Sequence, residues 1–151
     1  MIITSWNIRG LNSKGKQRYL RDRLKKDKPS IMIIQETKIS TQKMEEIMRI
    51  FNTHYEIMGE DAAGTAGGLA TLWNPEEVQF DNWVSFPRTL LENFRMIGSS
   101  EWLILTGVYG PHSSSEHRSF LKNMQAIRRL FPEIPWIAGG DFNMITTSAE
   151  K

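Results

Sequence analysis

Ile31-Met32-Ile33-Ile34-Gln35-Glu36 is an unbroken apolar run that ends in a carboxylate. Four apolar residues without alternation predict a strand covered on both faces, so the fold must place a layer on either side of it. Just upstream, residues 14–26 fit a helix with Leu20 and Leu24 one turn apart on its buried side. Pro29 stops that helix, because proline disfavours helical geometry in the residue before it. Residues 2–8 read as another strand, rich in β-branched and aromatic residues, with Ile2, Thr4, Trp6 and Ile8 on one side and Ile3, Ser5 and Asn7 on the other. Downstream, residues 41–51 form a second helix whose Met44, Ile47, Met48 and Phe51 make one apolar face, a stripe for core packing.

Five further strands are predicted over residues 54–58, 67–73, 78–86, 90–97 and 102–108, separated by Gly, Asn-Pro and Ser-containing turns. Their close spacing implies antiparallel pairing. A third helix is expected over 114–131, with Ser113 and Glu116 spaced as a capping box and Phe120, Met124, Ile127 and Phe131 on one face. A last strand, 136–138, leads to Gly139-Gly140-Asp141-Phe142-Asn143. This mixed order implies an α/β architecture with helices packed on sheet faces. No repeat, low-complexity tract or linker divides the 151 residues, so they read as one structural unit.

No apolar run approaches the ~20 residues needed to cross a bilayer, which argues against a membrane role. Residues 1–7 lead directly into the first predicted strand, with no basic region followed by a long apolar stretch, so export is not expected. With no cysteine, disulfides, thiolate metal sites and cysteine nucleophiles are excluded, and any metal must be held by oxygen or imidazole. An intracellular location, cytosol or nucleus, is expected. The net charge of +2 is too small to imply a nucleic-acid partner, but its distribution is uneven. Arg9, Lys14, Lys16, Arg18, Arg21, Arg23, Lys25, Lys26 and Lys28 face only Asp22 and Asp27 in the same stretch. Such a run is most often a solvated helix face, and alternatively a surface for phosphates.

Polar groups with chemical potential cluster at predicted strand ends: Asn7, Glu36, Tyr109 in Val108-Tyr109-Gly110-Pro111-His112, and Asp141 with Asn143. In extended backbone, Asp141 and Asn143 would project to the same side while Phe142 faces the core. Gly139 and Gly140 would then let the backbone bend and a ligand approach. The plainer reading of the pentapeptide is a turn after a strand, and Asn7 or Tyr109 alone would be a structural hydrogen-bonding residue. Of the histidines, His54 is expected to pack, and His112 and His117 to make surface hydrogen bonds.

Taken together and in this order, Trp6-Asn7, Gln35-Glu36-Thr37, the Tyr109-Gly110-Pro111 turn and Gly140-Asp141-Phe142-Asn143 resemble the endonuclease/exonuclease/phosphatase superfamily of divalent-metal phosphodiesterases. Trp6-Asn7-Ile8-Arg9-Gly10-Leu11-Asn12-Ser13, Gln35-Glu36-Thr37-Lys38 and Val108-Tyr109-Gly110-Pro111 look most like the endonuclease domain of plant non-LTR (LINE-type) retrotransposons. Arg9 stands where abasic-repair members carry an acidic residue, which sets this chain apart from repair enzymes. The resemblance implies a DNase I-like α/β/β/α four-layer sandwich, of which residues 1–151 supply the N-terminal portion. The Ser-Asp-His segment expected late in such a domain is not in this sequence, so the chain by itself is expected to expose apolar sheet surface and to be weak or inactive. It also implies Mg²⁺, with Mn²⁺ as a substitute, held by Glu36 and Asn7. Asp141 would orient or deprotonate water, Asn143 would donate to a phosphate oxygen, and Tyr109 and Asn7 would position the phosphate. DNA is the implied partner, a reverse transcriptase region the implied neighbour, and the nucleus the implied location. The alternatives are a phosphatase or lipid phosphodiesterase of the same superfamily, and a noncatalytic or nucleic-acid-binding remnant.

Overall fold

The computed structural model describes residues 1–61 and 67–145. Its elements are β1 (Ile3–Asn7), α1 (Lys14–Asp27), β2 (Ile31–Gln35), α2 (Thr41–Phe51), β3 (Glu56–Glu60), β4 (Leu69–Trp73), β5 (Val78–Phe86), β6 (Thr89–Met96), β7 (Trp102–Tyr109), α3 (Ser114–Leu130) and β8 (Trp136–Asp141). They form two four-stranded sheets, ordered β1-β2-β4-β3 and β5-β6-β7-β8. The first pair of the one sheet, β1 with β2, and the last pair of the other, β7 with β8, are parallel; the remaining pairs are antiparallel.

The layering follows from the two faces of β2. Met32 and Ile34 face outward into a cluster with Leu20 and Leu24 of α1 and Met44 and Met48 of α2. Ile31 and Ile33 face inward and meet Leu90 and Phe94 of β6 and Leu105 of β7. On the far side of the second sheet, Ile104 and Val108 pack under Phe120, Met124 and Ile127 of α3. The chain is thus an α/β/β/α sandwich, and the unbroken apolarity of β2 has its cause in burial on both faces.

Local signals set the element ends. Ser13 and Ser40 cap α1 and α2 by accepting from Lys16 N and Lys43 N, and Lys28 and Asn52 close these helices in the left-handed conformation. The capping box expected at α3 does not form: the Ser113 hydroxyl bonds that of Ser115, and Glu116 turns to Arg88 at 3.6 Å. Strand β3 also begins two residues later than its composition suggests. His54 stacks on Tyr55, and the Tyr55 hydroxyl donates to Pro29 O at 2.7 Å, anchoring this segment under the end of α1 before pairing starts. Strands β1 and β8 lie at neighbouring sheet edges, with Ile2 and Ile137 exposed there.

One polar contact crosses the inner core. Glu92 on β6 is fully buried and accepts a 2.9 Å bond from the Thr71 hydroxyl of β4, joining the two sheets. Burial pushes its carboxyl up to about 8, so at neutral pH it is held as the neutral acid. A carboxyl raised in the folded state favours folding at low pH, so stability declines as pH rises from 4.5 towards about 8. Glu92→Gln keeps an acceptor for Thr71 and removes this slope. Its stability is expected to fall less than that of the native chain between acid and alkaline pH, as read from denaturant melts at acid, neutral and alkaline pH.

Candidate active site

Asn7 is the last residue of β1 and pairs with Gln35, so Glu36 follows directly beside it. Tyr109 ends β7 opposite Asp141, which ends β8. Parallel pairing at both places brings four strand ends to one end of the sandwich.

The segment after β2 is held from both sides. Gly10 N and Leu11 N donate to Glu36 O and Thr37 O at 2.6 and 2.8 Å, while Thr37 N and Lys38 N donate to Gly68 O and Gly67 O at 3.3 and 3.1 Å. This clamp keeps Glu36 and Lys38 at φ of 53° and 54°, left-handed values uncommon for residues with side chains.

Asn7 Nδ2 donates to Glu36 Oε1 at 2.7 Å and to Asp141 Oδ2 at 2.8 Å. The amide oxygen accepts from Arg9 N at 3.1 Å, which sets the side chain's orientation. In this arrangement Asn7 turns nitrogen towards the carboxylates, and its oxygen, the atom expected to bind a metal, is engaged elsewhere. The Asn7 bond is the chief reason that the Glu36 carboxyl lies below its usual range; burial opposes it, and Lys38 and Tyr109 add to it. Lys38 Nζ stands 3.4 Å from Glu36 Oε2. The Tyr109 hydroxyl is pushed up by burial and by the charge of Glu36, so it stays a protonated donor. It shares a 2.9 Å bond with His112 Nε2.

Asp141 and Asn143 do not project side by side along an extended strand. β8 ends at Asp141, Asn143 takes φ 52°, and Asn143 N donates to Asp141 Oδ1 at 3.0 Å, closing a turn. Asn143 Nδ2 donates to Gly110 O at 2.8 Å, and Gly110 N donates to Asp141 O at 2.7 Å. Phe142 packs against the α3 cluster, as its position predicts. The role expected for Gly139 and Gly140, close approach of a ligand, gives way to packing. A Cβ on Gly139 would stand 3.2 Å from Ile33, and one on Gly140, at φ 148°, would strike Val108 O at 2.0 Å.

His112 is exposed and makes the surface hydrogen bond expected of it, and its partner is Tyr109. His117 Nε2 lies 3.1 Å from Pro111 O and steadies the same turn. Lys38 stands in the quoted Gln35-Glu36-Thr37-Lys38 stretch, yet nothing in the sequence distinguishes it from a solvated lysine. A cleft of about 410 Å³ opens beside these groups, lined by Glu60, Asp61, Gly68, Arg88, Tyr109 and His112. A second cleft of about 390 Å³, at the other end of the first sheet beside Lys28 and His54, contains none of the site's five residues. Of the basic stretch, Arg21 and Arg23 are engaged by Asp22 and Asp27, and Lys16 Nζ donates to Ile8 O and Arg9 O.

Residues 4–151 match the Endonuclease/Exonuclease/phosphatase family. The chain belongs to that family. Among solved structures, it is similar to an endonuclease/exonuclease/phosphatase family protein from Bacteroides thetaiotaomicron (13% identity, TM-score 0.73, 93% of this chain and 62% of that one). It is also similar to the human Nocturnin catalytic domain with bound sulfate (16%, 0.69, 94% and 63%) and to D. rerio TDP2 complexed with a single-strand DNA product (18%, 0.70, 95% and 60%). The chain spans less than two thirds of the length of each, and at these identities the likeness establishes the fold. No curated protein matches it in sequence.

Endonuclease/Exonuclease/phosphatase proteins are typically metal-dependent hydrolases. Among the described residues no group of three or more His, Cys, Asp or Glu could hold a metal ion. Glu36 and Asp141 instead offer two carboxylates, and a cation, the Lys38 ammonium, already stands against Glu36. Few protein oxygens with room for waters and substrate phosphate suit Mg²⁺, so the donor set fits such an ion.

Asn7→Ala removes the donor shared by both carboxylates. The Glu36 titration, followed by ¹³C NMR, is expected to move up towards the ordinary 4.5. Because a depressed carboxyl stabilises the fold above its unfolded pKa and loses that effect in acid, the variant should be destabilised at neutral pH by about 1–3 kcal/mol and less so in acid.

Proposed function

We propose that this domain hydrolyses phosphodiester bonds in DNA with Mg²⁺ or Mn²⁺, as the nicking endonuclease of a LINE-type retrotransposon. The observation that carries the reading is the single Asn7 nitrogen within hydrogen-bonding distance of both Glu36 and Asp141. Glu36 would hold the ion, which would supply charge neutralisation at the phosphoryl and leaving oxygens, and Asn7 fixes the separation of the two carboxylates. Asp141 orients the attacking water and takes its proton. Tyr109, kept protonated, donates to a phosphate oxygen. One N–H of Asn143 Nδ2 is spent on Gly110 O, and the other donates to the phosphate as charge builds in the transition state.

DNA as the substrate draws support from the exposed Arg9, Lys14 and Arg18 around the start of α1, which leave cations at the end of the sandwich where the site lies. A freed 3′-hydroxyl would prime a reverse transcriptase carried in the same protein, with the nucleus as the place of action. No helix among the described residues is long and apolar enough to cross a membrane.

Supercoiled plasmid with Mg²⁺ is the direct test. The chain alone is expected to nick it only weakly, and Asp141→Asn to remove that activity at unchanged DNA affinity. Glu36→Gln is expected to require far more Mg²⁺. Release of inorganic phosphate from monoesters without nicking would turn the reading to a phosphatase, and salt-sensitive DNA binding without either activity would turn it to a binding remnant.

A further inference from the structure

Lys38 is placed with unusual care for a lysine. Its backbone is clamped at φ 54°, its N donates to Gly67 O, and its carbonyl accepts from Asn12 Nδ2 at 3.4 Å. Its aliphatic stem lies along Gly10, itself at φ 98°, where a Cβ would meet Lys38 Cδ at 3.4 Å. The ammonium is thereby delivered to Glu36 Oε2, the oxygen that Asn7 does not engage. The pair is sheltered, with 35% and 15% of the two side chains exposed, so salt screens it less than an ordinary surface pair.

We infer that Lys38 is a tethered cation that competes with the divalent ion for Glu36 and keeps that ion's affinity for the free domain low. This rests on the reading of Glu36 as a metal ligand. A divalent ion arriving at Glu36 meets a positive charge held within a few ångströms, and it binds only by pushing the ammonium aside or by bearing its repulsion. The tether makes displacement local: the stem swings while Thr37 and the backbone of Lys38 stay bonded to Gly68 and Gly67.

The test is a titration with Mn²⁺ alone, without DNA, following the EPR signal of the free ion. Lys38→Met keeps the stem and loses the charge, and is expected to bind Mn²⁺ about tenfold more tightly. Lys38→Arg keeps the charge and can fork onto the carboxylate, and is expected to bind Mn²⁺ no more tightly than the native chain. Unchanged or weaker binding in Lys38→Met overturns the inference, since a lysine that only braced the loop would lose affinity when removed. Glu36→Gln separates the two readings. If it leaves Mn²⁺ binding unchanged, Glu36 is not the ligand and both readings fall; if it abolishes binding while Lys38→Met gains nothing, only the competition falls.

Discussion

Two carboxylates from strands far apart in the chain share one amide nitrogen, and the arrangement of this end of the molecule follows from that. Like charges brought so close repel unless something between them donates. Asn7 supplies two short bonds at once, and the Arg9 backbone keeps it from turning over. The amide reaches both partners only because β1 runs parallel to β2, β8 runs parallel to β7, and the edge strands β1 and β8 adjoin across the two sheets. An antiparallel β1 or β8 would carry its carboxyl-terminal residue to the opposite end.

The inner core sets how closely those edges approach. Ile33 lies in a groove floored by Gly107 and Gly139, where side chains would come within 3.2 Å of it. A fully buried isoleucine contributes about 1.5–3 kcal/mol, so the sheets gain by closing on it. Glycines next to the Asp141 carboxylate thus act through packing, and Gly110 does the same one strand away, where a Cβ would collide with Phe142 O. With strands this tightly set, the residues that follow them have little freedom. Glu36 and Lys38, held by backbone bonds from both sides, and Asn143, in its turn on Asp141, all have left-handed backbone angles.

The Glu36 carboxylate is met from several sides. Glu36 faces an amide donor, a phenol and an ammonium, and the tyrosine in turn is bound by an imidazole. Several of the basic residues that the sequence places in one run are consumed locally, in ion pairs or in capping backbone carbonyls. Their number therefore overstates the charge left for a polyanion. The subset near the start of α1 is the part that geometry leaves beside the site.

The elements were largely readable from local pattern. The apolar run of β2, the stripe on α2 and the Phe120–Ile127 face of α3 each report how many faces are buried, and that is a property of neighbouring residues. Where composition misled, at the start of β3 and at the Ser113 cap, distant partners decided: Pro29 for the Tyr55 hydroxyl and Arg88 for Glu116. The five polar residues of the site were likewise visible as side chains at strand ends. Their directions were not. The inward nitrogen of Asn7, the bond from Asn143 to Gly110 and the packing role of the glycines arise between segments dozens of residues apart, and the ammonium of Lys38 meets Glu36, two residues away, on a backbone that Gly10 and Gly67 hold. By itself the sequence determined which residues stand at the strand ends and which faces are buried, because periodicity and turn chemistry act over a few residues. Only the tertiary structure decided which atoms meet, because a hydrogen bond depends on tenths of an ångström between backbones that local pattern does not relate.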